Sequence, residues 1–319
     1  MIITVTLNAA IDKSLSVPSF RLGRRHRTVE RRALAGGKGV NVARMLKTLG
    51  APVIATGFQG GPTGTQIVAQ LAEESILHDF VRIREESRTN TSVLDPTTGE
   101  QTEINEQGPR VDADEIENFR EKLLYLARGA AIVVFAGSLP RGVDADFYAQ
   151  LVREMHKLEV MTIVDTDGDA LRHAVRAEPD AVSPNVVESE ELVGHEFNDD
   201  EDRAGAVREI VSLGARQAFM TTPDGCFAQV LVDGAPRVYR VTVPPQHSVA
   251  TVGSGDAFLA GYVAARYRGW SPPECLRFGV ACGAESTGRL GAGLIDVREV
   301  DRVLADVAAS ELKLPAGVG

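Results

Sequence analysis

The sequence predicts an α/β fold: a mainly parallel sheet covered by helices on both faces, with a small β-rich unit standing apart from it. Short apolar runs such as 53–58, 131–135 and 160–164 alternate with longer amphipathic stretches, the pattern of strands buried on both faces and joined by crossover helices. Two segments, 13–33 and 80–105, break this alternation. They carry β-prone runs joined by turn residues and no long helix, so they are expected to pair in a separate small sheet. A chain of 319 residues with 44% hydrophobic and 24% charged residues is long enough for a large core. It contains no internal repeat or low-complexity linker, which argues against two independently folding domains.

In chain order, residues 2–7 predict a buried first strand, and the polar residues from Asn8 to Asp12 mark its exit. Gly36-Gly37-Lys38-Gly39 then leads a helical run through Val40, Val42, Ala43, Leu46 and Leu49, with Gly50 as its stop. A strand over 53–58 and a helix over 65–74 follow. Within the second β-rich segment, runs at 80–83, 91–94 and 101–105 are β-prone. Beyond it the pattern predicts a helix over 112–127, strand 131–135, helix 144–157 and strand 160–164. A strand over 181–183, helices from 188 and over 202–213, and a strand over 217–221 come next. Asp233-Gly234 between two apolar runs predicts a hairpin. The last third reads as helices near 255–268, 273–288 and 297–308, with a loose tail at 313–319.

Net charge of −10 argues against a nucleic-acid partner, whose backbone phosphates require clustered Lys and Arg. The one basic cluster, Arg21 to Arg32, is local. No apolar run is long enough to span a bilayer, and the N-terminus shows no charged leader with a cleavage site, so a cytoplasmic location and no membrane partner are expected. Cys226, Cys275 and Cys282 have no metal-site or redox spacing, and the six histidines are dispersed with no HExxH or paired spacing.

The stretch from Ala250 to Gly261 carries the strongest chemical signal. Gly253 and Gly255 flank Ser254 in a tight turn, and apolar residues at helical spacing follow, so the turn opens a helix. Amides at such a start, with the helix dipole, suit an anion such as a transferring phosphoryl group. Asp256 in that first turn is placed to take a proton from a substrate hydroxyl, although a dipole-favoured acidic residue is the plainer explanation of the same position. The exits at Asp12, Gly37, Gly137-Ser138, Asp165 and Gly253 all fall where ligands lie in such sheets, beyond the carboxyl ends of the strands.

Three alternatives fail. Gly39 follows Lys38 where a P-loop needs Ser or Thr, Phe258 replaces the third glycine of a dinucleotide fingerprint, and Ala170 and Arg176 spoil a calcium loop at Asp165. Asn185 and Glu188, after Pro184, could aim an amide and a carboxylate at a hydrated magnesium ion.

Taken together, Gly36-Gly37-Lys38-Gly39-Val40-Asn41-Val42-Ala43 and Val252-Gly253-Ser254-Gly255-Asp256-Ala257 resemble the two signatures of the PfkB (ribokinase-like) carbohydrate kinases. Gly137-Ser138-Leu139-Pro140, Pro184-Asn185-x-x-Glu188 and the segment Thr6 to Asp12 resemble further family segments in the same order. That opening segment, with Thr102 to Pro109, is similar to the hexose-phosphate branch of 1-phosphofructokinases, tagatose-6-phosphate kinases and minor 6-phosphofructokinases.

The resemblance implies a ribokinase-like three-layer αβα core over 1–12, 34–79 and 106–312. It also implies a β-sheet lid over 13–33 and 80–105 that serves as a homodimer surface. Asp256 is implied as the base, with the amides of Gly253, Ser254 and Gly255 holding the moving phosphoryl group. Asp12, Gly37, Lys38, Asn41 and Ser138 are implied to hold the sugar, and Arg27 and Arg88 its phosphate. Ser183, Asn185, Thr222, Gly225, Gly253 and Gly255 would line the nucleotide side, with ATP, Mg2+ through Asn185 and Glu188, and a monovalent cation such as K+ as cofactors.

Ala9 stands in place of the family's proline. Ser183 replaces the lysine before Pro-Asn, and Thr222-Pro223-Asp224-Gly225 replaces a Ser-Leu-Gly loop, so both nucleotide-side departures bear on the donor. The reading that follows is phosphorylation of fructose 1-phosphate to fructose 1,6-bisphosphate. Tagatose 6-phosphate or fructose 6-phosphate as acceptor, a ribokinase or nucleoside kinase, and a non-catalytic sugar-phosphate sensor stand as alternatives.

Overall fold

The computed structural model describes residues 1–245, 252–289 and 291–313. Ala250, Thr251, His247 and nearly all of the expected tail lie outside the described residues.

An eleven-stranded sheet forms the centre of the molecule. Its first strand, Ile2–Thr6, is flanked in parallel by Val53–Gly60 and Ile132–Ala136. From Ile132–Ala136 the parallel ladder continues through Met161–Asp165 and Ala181–Val182 to Ala218–Thr222. It then turns antiparallel through Gly225–Val232, Ala235–Thr242 and Ala308–Leu312. Two short strands, Leu77–His78 and Val81–Ile83, pair in parallel with the far side of Val53–Gly60. The expected hairpin forms with a two-residue connection in which Asp233 and Gly234 both have positive φ, 51° and 78°, the twist that suits a two-residue hairpin.

Period-two alternation explains the layers. Within Ile2–Thr6, Ile2 faces one apolar cluster while Ile3 and Val5 face the other, and in Ile132–Ala136 the same division separates Ile132 and Val134 from Val133 and Phe135. Helices Lys38–Thr48, Gly61–Glu73, Ser254–Tyr267, Pro272–Ser286 and Val297–Asp306 cover the first face. Ala113–Ala127, Phe147–Lys157, Gly168–Val175 and Asp200–Ser212 cover the second. The result is three layers, as the apolar runs predict.

The separate small sheet has the order Glu30–Gly36, Ala10–Ser16, Arg88–Leu94, Gln101–Asn105. Two local expectations are corrected, and one strand is added. The run at 80–83 joins the large sheet at Phe58–Gly60, because Val81 and Ile83 pack into the second core while the buried Phe80 packs into the first. Asp12 is no strand exit: it sits inside Ala10–Ser16, pairing with Leu34 on one side and Asn90 on the other. The chain after the last helix forms the edge strand Ala308–Leu312, which hydrogen-bonds to Ala235–Thr242.

Candidate active site

The carboxyl ends of the parallel strands and the inner face of the small sheet enclose one cavity of about 440 Å³. Two helices open onto it, Lys38–Thr48 and Ser254–Tyr267, and both start from a glycine with positive φ. Gly37 has φ 93°, and a Cβ there would stand 2.8 Å from Thr6 Cγ2; Gly253 has φ 85°, and its Cβ would stand 2.7 Å from Ala292 Cβ. Only glycine meets both demands, a left-handed backbone and close approach. No side chain caps either helix, so the first-turn amides remain to serve an anion.

Asp256 lies in the first turn of the second helix and is only 5% exposed. Burial pushes its carboxyl up to about 7, with Asp165 and Asp12 adding to the rise while Lys38 and the Asn41 hydrogen bond oppose it. A carboxylate poised near neutrality is suited to general-base work. Lys38 Nζ donates to Asp165 Oδ1 at 2.7 Å and lies 3.9 Å from Glu188 Oε1. Burial works against the ammonium charge, but the surrounding carboxylates of Asp165, Glu188 and Asp256 outweigh it and raise its pKa. Asp12 Oδ1 accepts from Asn90 Nδ2 at 2.9 Å and its Oδ2 from the Gly37 amide at 3.4 Å, and burial again holds its carboxyl above the usual range.

The cavity gathers Asp12, Gly37, Lys38, Asn41, Arg88, Ser138, Ser183, Asn185, Gly253, Ser254, Gly255 and Asp256, with Glu188 beside Lys38. Several of these side chains have protein partners that the sequence did not foretell. Asn41 Nδ2 donates to Asp256 Oδ2, and Ser138 Oγ accepts from Asn8 Nδ2. Arg88 donates to the carbonyls of Asn8 and Glu106, and burial lowers its pKa. Arg27 is exposed in the segment between two small-sheet strands and does not line the cavity. Thr222 and Gly225 do not line it either; Thr221, on the strand Ala218–Thr222, does.

Asn185 and Glu188 form a reciprocal capping box on helix Val186–Val193: Asn185 Oδ1 accepts from the Glu188 amide and Glu188 Oε2 from the Asn185 amide, both at 2.9 Å. Glu188 Oε1 remains on the cavity side, near Lys38. The sequence marked Asp165 only as a strand exit with no role, and it gave no role to Asp167 or Asn90. Asp165 ends the parallel strand Met161–Asp165 and Asp167 lies two residues on, which is the signal that places both at the cavity.

Six acidic side chains line the cavity against three basic ones. A polyphosphate entering such a lining needs counter-cations. That set of carboxylate oxygens suits magnesium, which takes few carboxylates and keeps several waters. Two anion-receptive helix starts facing a buried, near-neutral carboxylate, in a doubly covered parallel sheet, define a phosphotransferase with a hydroxyl acceptor.

The sequence matches the profile of the pfkB family carbohydrate kinases over residues 5–298, and the chain belongs to that family. It is therefore a kinase acting on a sugar hydroxyl. It is 30% identical to a 1-phosphofructokinase of Borreliella burgdorferi over 312 residues, covering 98% of this chain and 99% of the relative. It is 32% identical to a tagatose-6-phosphate kinase of Staphylococcus epidermidis over 324 residues, covering 98% and 100%. Among solved structures, phosphofructokinase-2 from Escherichia coli in complex with potassium superposes with a TM-score of 0.87 at 30% identity, over 95% of this chain and 98% of that one. The ribokinase-like core and small separate sheet expected from the sequence are those of the family. Among the described residues no helix is long and apolar enough to cross a membrane.

Proposed function

We propose that this protein transfers the γ-phosphoryl group of ATP to the 6-hydroxyl of fructose 1-phosphate, giving fructose 1,6-bisphosphate. The observation that carries this reading is the placement of Asp256 at the start of one uncapped, glycine-initiated helix, opposite the start of another, across a cavity that also holds Asp12 and Lys38. The 1-phosphofructokinase and tagatose-6-phosphate kinase among its relatives support a ketohexose phosphate as acceptor.

In this mechanism Asp256, ionised, takes the proton of the acceptor hydroxyl as the hydroxyl oxygen bonds to the γ-phosphorus and the bridging anhydride bond breaks. The amides of Gly253, Ser254 and Gly255 hold the charge that develops on the phosphoryl oxygens. Lys38, kept charged by Asp165, lines the same cavity as a fixed cation. Asp12 accepts hydrogen bonds from sugar hydroxyls and Arg88 holds the sugar phosphate, while Arg27, exposed outside the cavity in this chain, is not placed on it. Magnesium, when bound, would neutralise phosphate charge, with Asn185 and Glu188 as the residues that would hold it, and the nucleotide would enter on the side lined by Ser183 and Thr221.

A monovalent cation such as potassium is part of the proposal, supported by the potassium complex of phosphofructokinase-2. So is a homodimer through the small sheet, with residues 13–33 and 80–105 acting as the lid. Leu22, Val29 and Ile104 are 91%, 70% and 62% exposed on that part of the chain, an apolar excess that a partner copy would cover.

A coupled assay with ATP and other nucleotides against fructose 1-phosphate, fructose 6-phosphate, tagatose 6-phosphate, free ribose and nucleosides tests the reading. Fastest turnover with fructose 1-phosphate supports it. Preference for a 6-phosphate reassigns the hydroxyl, turnover of ribose alone overturns the substrate class, and binding without turnover under every donor supports a sensor.

A further inference from the structure

From Asn41, which lines the cavity beside Asp256, a line of polar side chains runs back into the core. Asn41 Nδ2 donates to Asp256 Oδ2 at 2.9 Å, and its other end, Oδ1, accepts from Arg44 Nη1 at 3.4 Å, one turn along the same helix. The Arg44 side chain is 7% exposed and fixed on two further sides: Nε and Nη2 grip the Glu74 carboxylate at 2.5 and 3.0 Å, and Nη2 also donates to the Ala35 carbonyl at 2.7 Å. Glu74 closes helix Gly61–Glu73 as its C-cap.

We propose that Arg44, braced by Glu74, is a positioning residue that locks the Asn41 carboxamide with its amide end toward Asp256, and thereby selects the ionised form of the base. The argument is one of hydrogen-bond parity. A carboxamide has one donor end and one acceptor end, and a free Asn beside a carboxyl serves either protonation state by turning over. Toward a carboxylate it offers N–H; toward a carboxylic acid it offers C=O. Guanidinium has donors only, so an Asn whose oxygen is held by Arg44 has only N–H left for Asp256. The protonated acid then finds no acceptor in Asn41, and the carboxylate finds a donor. Hydrogen bonding to one protonation state shifts the equilibrium toward it.

Other charged groups also face Asp256, and one of them, Asp12, feels the Arg44 charge as well. They are Lys38 on the helix that carries Asn41, Asp165 at the end of Met161–Asp165, and Asp12 in the small sheet. Lys38 favours the carboxylate and both aspartates disfavour it, so the base sits near balance. At such a point one hydrogen bond decides the fraction that is active. Gly293 packs over the line, where a Cβ would stand 2.8 Å from Arg44 Nη1 and 3.0 Å from Asn41 Oδ1, so a residue without a side chain is what leaves the guanidinium and the carboxamide oxygen their places.

The inference rests on Asp256 being the base, and the test separates the two. The double variant Arg44→Met with Glu74→Gln removes the lock without leaving a buried charge unpaired. Turnover of fructose 1-phosphate is measured between pH 5.5 and 9.5 beside wild type and the single variant Glu74→Gln, which keeps the guanidinium on Asn41. The acidic limb of kcat in the double variant should move up by about one pH unit, the worth of one hydrogen bond to a charged group, with recovery above pH 9 and little change in KM. Glu74→Gln should leave the limb near its wild-type position. Should the double variant not fold, Arg44→Lys takes its place, since one ammonium cannot span Glu74 and Asn41 together, and the same upward shift is expected. A limb that does not move, or a kcat loss equal at every pH, overturns the locking role. Turnover that survives Asp256→Asn overturns the assignment of the base instead.

Discussion

Asn41 and Asp256, separated by 215 residues in the chain, meet through a buried hydrogen bond of 2.9 Å that ties helix Lys38–Thr48 to helix Ser254–Tyr267. Helices Lys38–Thr48 and Ser254–Tyr267 both present glycine-initiated starts to the cavity, so the bond fixes the distance between two anion-receptive ends as well as the orientation of one carboxylate. Catalysis by positioning requires that kind of rigidity.

The pH dependence follows from the raised Asp256 carboxyl. The carboxylate is the active form, so kcat/KM should rise with pH through about 7 and level off above it. A profile already flat from pH 5.5 upward would show that the base ionises in the ordinary carboxylate range.

Stability should respond in the opposite sense. The folded-state pKa of Asp256 lies above its unfolded value of 3.8, so the folded protein binds the extra proton between that value and about 7. Its contribution is intact below pH 4 and is lost as pH rises toward 7, by up to about 4 kcal/mol. Asp256→Asn, which carries no such charge, should therefore be at least as resistant to urea as wild type at pH 8. Lower resistance in the variant would show that the ionised side chain is a net stabiliser.

The glycines of the catalytic turn should separate. Gly253→Ala meets both a positive φ and the Ala292 side chain, so it should lower stability by about 1–3 kcal/mol and remove activity together. Gly255 has helical backbone, and nothing lies within 4 Å of its would-be Cβ. Gly255→Ala should raise thermal stability by roughly 0.5–1 kcal/mol while weakening ATP binding, because the methyl group enters the cavity. Thermal melts beside KM for ATP check both; equal behaviour of the two variants would contradict the turn geometry.

Lys38 depends on Asp165 for its place. Asp165→Asn removes the carboxylate that holds the ammonium at 2.7 Å, and kcat should fall by at least about tenfold with a smaller change in sugar KM. An effect confined to KM would place Lys38 on the sugar and not on the transferring group.

Arg88→Ala should raise KM for the sugar phosphate by roughly tenfold or more, through loss of a guanidinium–phosphate contact. The guanidinium also ties the Asn8 and Glu106 carbonyls together. A melting temperature well below wild type with an unchanged KM would mark Arg88 as a strut alone.

Much of this was legible in the chain. Apolar runs and their spacing foretold the three layers, and the Asp233-Gly234 pair foretold its hairpin, because local twist and burial decide both. What the sequence hid are relations made by distant packing. Nothing near Lys38 announces Asp165, 127 residues away, and nothing near Asp12 announces Asn90. The run at 80–83 has the β-prone composition of the small sheet but sits beside Phe58–Gly60, so pairing and not propensity decided its place. The Asn185-x-x-Glu188 spacing suggested a cation site, while the same spacing is the signature of the capping box observed. Arg27 carries the right chemistry for a phosphate but lies on an exposed segment whose path no periodicity reveals.

The central claim, that Asp256 is the base of a ketohexose phosphate kinase, is tested most directly by the initial rate of fructose 1,6-bisphosphate formation from fructose 1-phosphate and Mg-ATP at pH 8. Wild type and Asp256→Asn are compared, with circular dichroism confirming that both are folded. The account predicts measurable turnover by wild type and a loss of about 10²–10⁴-fold in kcat in the variant with little change in KM. A folded Asp256→Asn variant that keeps kcat within a few-fold of wild type would contradict it.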